Sequence, residues 1–155
     1  MSFHSFGLPH CFIDILEREH YKNPYPIQQA AIPLILRGRD VLGIAPTGSG
    51  KTASYVLPVL SRLNHKKKAK DRQVDVLVLV PTRELAEQVK KVFLLFEKGL
   101  EHSVPTMAVY GGVSINPQMK ALFGVSVLVA TPGRLLDLVS SNAVRFDQLK
   151  TLILD

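Results

Sequence analysis

One eight-residue stretch, APTGSGKT at positions 45–52, restricts the possible folds more than any other part of the chain. It lies between the apolar run at 41–44 and a second apolar stretch that starts at Ala53, which is typical of a loop between a strand and a helix. Gly48 and Gly50 allow the backbone to turn successive N–H groups inward, and the start of a helix adds its positive end at the same place. The stretch therefore predicts a phosphate-binding loop.

The polar side chains of this loop predict its ligand more closely. Lys51 would reach the β and γ phosphates of a nucleotide, and the Thr52 hydroxyl would coordinate Mg²⁺. Ala45 stands where the general phosphate-loop pattern has a glycine, six residues before the lysine. The alternative is a glycine- and serine-rich loop that contains a lysine by chance, and the flanking strand and helix patterns argue against it.

Composition limits the chain to a small set of protein classes. It has 155 residues, of which 46% are hydrophobic, enough to close one core, so we expect a single domain. No apolar run is long enough to span a bilayer, and the first residues show neither a basic leader nor a cleavage site. We therefore expect a soluble, intracellular protein with no membrane partner.

The net charge of +6 is concentrated in one place. Five basic residues and one acidic residue lie within positions 66–72 and supply five minus one, or four, of these charges: Lys66, Lys67, Lys68, Lys70 and Arg72, with Asp71 opposing them. A short run of this kind is more often a solvated surface turn than a binding site. The charge alone therefore does not predict binding to nucleic acid.

Short apolar runs alternate with helical patterns along the chain. The runs, which predict five strands, lie at 41–44, 74–80, 106–110, 125–130 and 151–154. Strands that are apolar throughout and alternate with helices indicate an α/β fold, a parallel sheet with helices on both faces. Ligands of such sheets bind beyond the carboxyl ends of the strands, so we expect the residues that follow each run to meet at one functional edge.

Those residues have the chemistry of a site that binds phosphate. After the strand runs come PTRELA from position 81, GG at 111–112, TPGR from 131, and Asp155. Hydroxyls, guanidinium groups and N–H groups at helix starts can all meet the phosphate oxygens of a nucleic acid. In the alternative interpretation Thr82 and Thr131 cap helices, the arginines are structural and the glycine pair is an ordinary turn.

Taken together and in this order, APTGSGKT, PTRELA, GG, TPGR and the final Asp resemble the first RecA-like domain of a DEAD-box RNA helicase. The resemblance covers essentially the whole chain and implies a P-loop NTPase fold, ATP and Mg²⁺ as ligands, and RNA as a partner. It implies nucleotide contacts by Thr47, Gly48, Ser49, Gly50, Lys51 and Thr52. It implies RNA contacts by Pro81, Thr82, Arg83, Gly111, Gly112, Thr131, Pro132, Gly133 and Arg134.

Residues 1–39 resemble the adenine-reading Q motif of the same family, ahead of a strand and helix core at 40–155. Tyr21 and Gln28 match that motif, with Phe3 in the place of its upstream aromatic residue. A glutamine amide complements N6 and N7 of adenine, so Gln28 could select ATP over GTP. The alternative is a plain surface residue of a helix, and the flanking Pro and Ile pattern argues against it. His20 and Tyr25 depart from the family, which usually has Gly and Ser or Thr there.

Asp155 matches the first letter of the family's Asp-Glu-Ala-Asp quartet, where with Thr52 it would complete the Mg²⁺ site. The resemblance implies that the catalytic Glu and a second RecA-like domain lie beyond these residues. We therefore expect an incomplete domain of an ATP-hydrolysing helicase that is itself inactive and monomeric, with a final strand open to pairing. Two alternatives are another P-loop ATPase or kinase, and a module that binds RNA without catalysis.

Overall fold

The computed structural model describes residues 2–64 and 71–155, which form two compact units. The first unit is Met1–His65 with Leu95–Glu101, and the second is Lys66–Leu94 with His102–Asp155. The lysines at 66–68 and Lys70 lie outside the described residues. The phosphate loop belongs to the first unit, whereas PTRELA, GG, TPGR and Asp155 belong to the second.

Helices build the first unit. After a 3₁₀ turn at Phe3–Phe6 come α1 (His10–Arg18), α2 (Pro26–Leu36) and α3 (Lys51–Leu63). Helix α1 buries Phe12, Ile13 and Leu16, which share one face at helical spacing. Helix α2 continues through Pro33. A proline within a helix removes one backbone hydrogen bond, and here the burial of Ile32 beside it favours continuation.

The predicted strand at 41–44 is wrong for the described part of the chain, where these residues have no regular secondary structure. Leu42 and Ile44 are 90% and 88% exposed. A strand requires a neighbour that exchanges backbone hydrogen bonds with it, and no ladder that includes these residues is present among the described ones. The apolar pattern was correct, but it does not reveal whether a pairing partner is available.

The second unit contains a four-stranded parallel sheet in the order β2-β3-β1-β4. Its elements are β1 (Val76–Leu79), α4 (Arg83–Glu97, whose last residues belong to the first unit), β2 (Thr106–Val109), α5 (Ile115–Ala121), β3 (Val127–Ala130), α6 (Pro132–Ser140) and β4 (Thr151–Leu154). Four of the five predicted strands are therefore present, each within its predicted range.

Both faces of the central strands are buried, which explains why their sequences are apolar throughout. Leu77, Leu128 and Val109 belong to a core cluster that Leu122 and Leu138, from the α5 and α6 region, also join. The alternate residues of β1 and β3, valines at 76, 78, 127 and 129, are buried as well. Strand β4 is one of the two edge strands of the described sheet, and its burial alternates.

The strand register brings the carboxyl ends of the strands level with one another. Leu79 at the end of β1 pairs with Ala130 of β3 and with Leu154 of β4, and Val109 of β2 also pairs with Ala130. The prediction that residues after successive strands share one edge is therefore confirmed for these four strands. Among the helices described, none is long and apolar enough to cross a membrane.

Candidate nucleotide site and nucleic-acid interface

The phosphate loop bends through two glycines in the left-handed region. Gly48 has φ of 76° and Gly50 has φ of 82°, conformations that L side chains rarely adopt. Gly50 is the N-cap residue of α3, and its carbonyl accepts the first helical hydrogen bond from the Ser54 N–H, at 3.1 Å. The predicted passage from a glycine loop into a helix that starts at Lys51 is confirmed.

Two side chains of the loop differ in how their polar atoms are satisfied. The Lys51 ammonium donates a hydrogen bond to the Ala45 carbonyl, with Nζ and O 2.7 Å apart, and so links the two ends of the loop. The Ser49 Oγ is buried and has no hydrogen-bond partner among the described residues. A buried hydroxyl without a partner is costly, and a ligand oxygen could satisfy it.

Gln28 joins the start of α2 to the phosphate loop. Its side chain is fully buried, with 0% exposed, and its Nε2 donates to the Gly50 carbonyl at 3.1 Å. Its Oε1 accepts a hydrogen bond from the Tyr25 N–H at 2.9 Å, which is one half of a capping box. A Cβ at Gly50 would lie 2.3 Å from that Nε2 and 3.0 Å from the Tyr25 ring. Adenine reading by Gln28 stays a prediction, because its amide is used within the protein here.

The predicted nucleotide-contacting aromatics lie in a cluster of rings. Phe3 is only 4% exposed and meets Phe6 and Tyr21 edge-to-face, at centroid distances of 5.9 and 6.5 Å. Tyr21 also contacts Phe96 at 6.3 Å, and burial is the main cause that raises the pKa of its phenol. Edge-to-face packing stabilises such clusters, so the aromatic pattern is explained here by packing. Adenine contacts by Phe3 and Tyr21 stay predictions.

One departure from the Q motif has a local cost. His20, where the resembling family usually has Gly, has φ of 62° and lies just beyond the end of α1. A residue other than glycine adopts this left-handed conformation at a cost of about 1 kcal/mol. The backbone at this position therefore favours glycine, whatever its role in binding.

The two predicted Mg²⁺ ligands belong to different units. Thr52 is half-buried in the first turn of α3, two residues after the left-handed Gly50. Asp155 follows β4, and its N–H donates to the Leu79 carbonyl at 3.0 Å. A hydroxyl and a carboxylate are suitable oxygen ligands for Mg²⁺. The metal site that would join them stays a prediction.

The two threonines at the sheet edge behave differently. Thr82 caps α4, because its Oγ1 accepts from the Leu85 N–H at 3.2 Å, as the alternative interpretation expected. Thr131 is the N-cap residue of α6, but its side chain makes no capping hydrogen bond, so capping by that hydroxyl is wrong. Arg83 is exposed and only 3.4 Å from Glu84, a surface contact that leaves its guanidinium free to move.

Glycines at this edge lie beside open space. Within the described residues, a Cβ added at Gly111, Gly112 or Gly133 would meet nothing within 4 Å. Gly112 has a positive φ of 79°, which favours glycine on its own account. Neither backbone conformation nor crowding within the described chain requires glycine at 111 or 133, so these positions leave room for a molecule that approaches the backbone closely.

Arg134, one of the predicted RNA contacts, has a buried side chain. Its side chain is 8% exposed, and its Nη2 donates to the Val113 carbonyl at 2.8 Å, just beyond the glycine pair. RNA contact by Arg134 stays a prediction, and this buried position is also what the alternative interpretation, a structural arginine, expected. Sequence reasoning also missed Gln118, whose Nε2 donates to the Tyr110 carbonyl on the other side of the glycines at 3.2 Å. A lone glutamine in a short helix has no signal that predicts this contact.

Residues 25–155 match the family model described as DEAD/DEAH box helicase. The chain belongs to the DEAD/DEAH box helicase family. The resemblance inferred from the motifs is thus confirmed, and within that family the phosphate loop at 45–52 and the sheet edge are the two sites of interest.

Curated DEAD-box relatives match the chain from end to end. It is 46% identical to the ATP-dependent RNA helicase DeaD of Buchnera aphidicola (subspecies Baizongia pistaciae) over 100% of this chain and 25% of the relative. It is 41% identical to the DEAD-box ATP-dependent RNA helicase CshA of Streptococcus pneumoniae, over 100% of this chain and 29% of that protein. The chain therefore spans between a quarter and a third of the length of these DEAD-box proteins.

Solved DEAD-box structures share the fold. The RNA helicase Prp28 of Chaetomium thermophilum, bound to ADP, superposes with a TM-score of 0.87 at 39% identity, over 99% of this chain and 38% of that one. A DEAD box protein from Methanococcus jannaschii gives 0.88 at 31% identity, over 100% of this chain and 41% of that one. The predicted RecA-like α/β fold is therefore confirmed.

Proposed function

We propose that this chain binds ATP with Mg²⁺ at residues 45–52 and RNA at the carboxyl edge of its sheet, as the nucleotide-binding part of an ATP-dependent RNA helicase. The observation that carries the proposal is the phosphate loop, in which two left-handed glycines lead directly into the first turn of α3. The names of the relatives and the ADP in one similar structure support the same function.

The residues of the loop fit a polyphosphate. The N–H groups that α3 leaves without helical partners can bind phosphate oxygens, and the helix dipole favours negative charge there. The buried Ser49 hydroxyl, which has no partner among the described residues, would gain one from a phosphate oxygen. Lys51 has three donor hydrogens, so it can keep its bond to Ala45 and still meet phosphate.

Thr52 and Asp155 are the residues that would hold Mg²⁺. When bound, the metal would neutralise charge on the β and γ phosphates. The contribution of the chain is to place a hydroxyl in the first turn of the helix and a carboxylate after a parallel strand. Gln28 would read the adenine base if its amide exchanged an internal hydrogen bond for one to the base.

At the sheet edge the chain would bind the RNA backbone. Gly111 and Gly133 leave space for a phosphate to approach, and the Thr131 hydroxyl makes no bond to its own helix. Arg83 is an exposed cation at the start of α4. Backbone contacts of this kind are insensitive to base sequence and weaken with salt. Such sequence-independent binding would suit an RNA helicase that acts on many RNA sequences.

Hydrolysis would need groups beyond those named here. A carboxylate must orient the attacking water, and a cation must stabilise the transition state, where an arginine finger contributes about 10³ to 10⁵ in rate. We infer that a second RecA-like domain of the same protein supplies the cation. Coupling between the RNA site and the nucleotide site would then depend on closure of the two domains around ATP.

Nucleotide binding is tested by titrating the chain with a fluorescent ADP analogue in the presence of Mg²⁺. Lys51→Ala removes a charged donor and should weaken binding by about ten- to a hundredfold. Lys98→Ala, which removes an exposed lysine elsewhere in the first unit, should leave affinity unchanged. Because Lys51 also bonds to Ala45, circular dichroism must show that both variants are folded. Equal binding by wild type and Lys51→Ala would refute the site.

RNA binding is tested by fluorescence anisotropy with a labelled single-stranded RNA at several salt concentrations. Arg83→Ala should reduce the slope of log affinity against log salt by about 0.7, the value for one lost contact to a single strand. Lys91→Ala, an exposed cation on the same helix, should change neither slope nor affinity. Nucleotide binding without RNA binding would favour another P-loop ATPase, and RNA binding without nucleotide binding would favour a non-catalytic module.

A further inference from the structure

Arg134 is a buried cation in an unfavourable place. It is the third residue of α6, close to the positive end of the helix, where a positive charge is destabilising. Its side chain is only 8% exposed, and removing a charge from water is costly unless hydrogen bonds compensate. Within the described residues, Nε and Nη1 have no hydrogen-bond partner. The position in the helix and the burial therefore both disfavour a positive charge here.

The contacts of the guanidinium point to the loop after β2. Nη2 donates to the Val113 carbonyl at 2.8 Å, a length typical of a charge-assisted hydrogen bond. Nε approaches the exposed carboxylate of Asp137 at 3.5 Å, without the geometry of a hydrogen bond. Among the described residues, the one strong interaction of this buried charge is thus with a backbone carbonyl twenty-one residues earlier in the chain.

The loop that Arg134 contacts contains the glycine pair, and side-chain hydrogen bonds hold the backbone on both sides of that pair. Before it, the Tyr110 carbonyl accepts from Gln118 Nε2 at 3.2 Å, and the Tyr110 hydroxyl donates to Glu87 at 3.0 Å. After it, Arg134 holds Val113. Between these points the two glycines make no contact that a Cβ would disturb. A segment with two glycines and no side-chain contacts has many accessible conformations unless its ends are fixed.

We propose that Arg134 is a positioning residue that fixes the Gly111–Gly112 backbone in the conformation that binds RNA, and that it does not itself contact phosphate. The inference rests on the RNA site proposed above and assigns a different role to one of its residues. A guanidinium suits this task because its planar group keeps a fixed direction to the carbonyl, which a flexible ammonium does not.

The proposal and a direct phosphate contact differ in salt dependence. Loss of a positioning residue lowers the fraction of molecules with a competent loop, and the apparent affinity falls by the same factor, up to about tenfold for one hydrogen bond. No phosphate is uncovered, so the salt slope is unchanged. Loss of a direct contact also lowers the affinity, but it reduces the slope by about 0.7 for single-stranded RNA.

The experiment measures RNA affinity of the chain against salt for wild type, Arg134→Met and Gln118→Ala, with Arg83→Ala and Lys91→Ala for comparison. We expect Arg134→Met to bind about three- to tenfold more weakly with the wild-type slope. Gln118→Ala replaces one uncharged side chain by another and removes the hydrogen bond to the Tyr110 carbonyl, on the other side of the glycine pair. It should give the same signature with a smaller loss, and it serves if Arg134→Met does not fold.

Hydrogen exchange provides a second readout that requires no RNA. The amides of Gly111, Gly112 and Val113 should exchange faster in Arg134→Met than in wild type, while those of β3 do not change. A slope reduced by about 0.7 in Arg134→Met, or unchanged RNA affinity in a folded variant, would overturn the proposal. If the unmutated chain binds no RNA, the proposed function fails. Hydrogen exchange at residues 111–113 then still shows whether Arg134 fixes the loop, because that measurement needs no RNA.

Discussion

Replacing Gly133 by alanine should separate RNA binding from stability, because the two respond in opposite directions. Gly133 is the second residue of α6, it is exposed, and its φ is outside the left-handed region. A methyl group there would meet no atom of the described chain within 4 Å. Nothing in the described part of the chain therefore opposes alanine, whereas a bound partner would.

The expected gain in stability follows from helix propensity. Glycine is about 1 kcal/mol less favourable than alanine within a helix, and near the end we take about half of that. For a protein of this size, 1 kcal/mol shifts Tm by about 2–4 °C, so Gly133→Ala should raise Tm by about 1–2 °C. If RNA contacts the backbone at this point, the added methyl group acts as overpacking, which costs about 1–3 kcal/mol, or about 5- to 150-fold in affinity.

Thermal melting and RNA anisotropy on the same preparation provide both numbers. Ser140→Ala is the matched control, because it is exposed at the other end of α6, also raises helix propensity by roughly 0.5 kcal/mol, and is distant in sequence from the glycine. It should increase stability and leave RNA affinity unchanged. A folded Gly133→Ala variant that binds RNA as tightly as the wild type would show that the open space at this edge does not serve RNA.

Three further experiments test base selection, backbone strain at His20 and the location of the RNA site. The unmutated chain should bind ADP about ten- to a hundredfold more tightly than GDP in calorimetric titrations. Gln28→Ala should reduce that ratio and weaken the binding of both nucleotides, because the Gly50 carbonyl loses the hydrogen bond from the Gln28 amide. Equal affinities for ADP and GDP in the unmutated chain would remove Gln28 from the base site. His20→Gly should raise the free energy of unfolding by roughly 0.5–1 kcal/mol in a denaturant titration, since φ of 62° is strained for histidine; a loss of stability would contradict this. Alanine at all three lysines of positions 66–68 should weaken RNA binding less than Arg83→Ala does in anisotropy titrations, and the reverse order would move the RNA site away from the sheet edge.

Much of the sheet could be predicted from the sequence, because buried parallel strands are apolar on both faces. The runs around Val78, Val109 and Val129 are strands for that reason, and their level ends follow from the parallel register. The run at 41–44 has the same composition and is not a strand in the described structure, because strand formation depends on a neighbour that composition does not specify.

The site could be predicted less completely, because a motif specifies residue types but not what their side chains contact. Phe3 satisfies a pattern for an aromatic that contacts a ligand, yet it is buried against other rings. Arg134 satisfies a pattern for a phosphate contact, yet its guanidinium faces a carbonyl. By contrast, Gly48 and Gly50 were predictable, since the left-handed conformations that the loop needs leave few alternatives to glycine.

An amide chemical-shift titration of the 17.2 kDa chain with ADP and Mg²⁺ tests whether the loop at residues 45–52 binds the nucleotide. If the loop holds the phosphates through its N–H groups, the largest shifts should occur at residues 48–52, with a smaller change at Gln28, and Lys51→Ala should abolish them. Saturable shifts centred on other residues, or the absence of shifts at 48–52 at saturating nucleotide, would contradict the assignment of this loop as the nucleotide site.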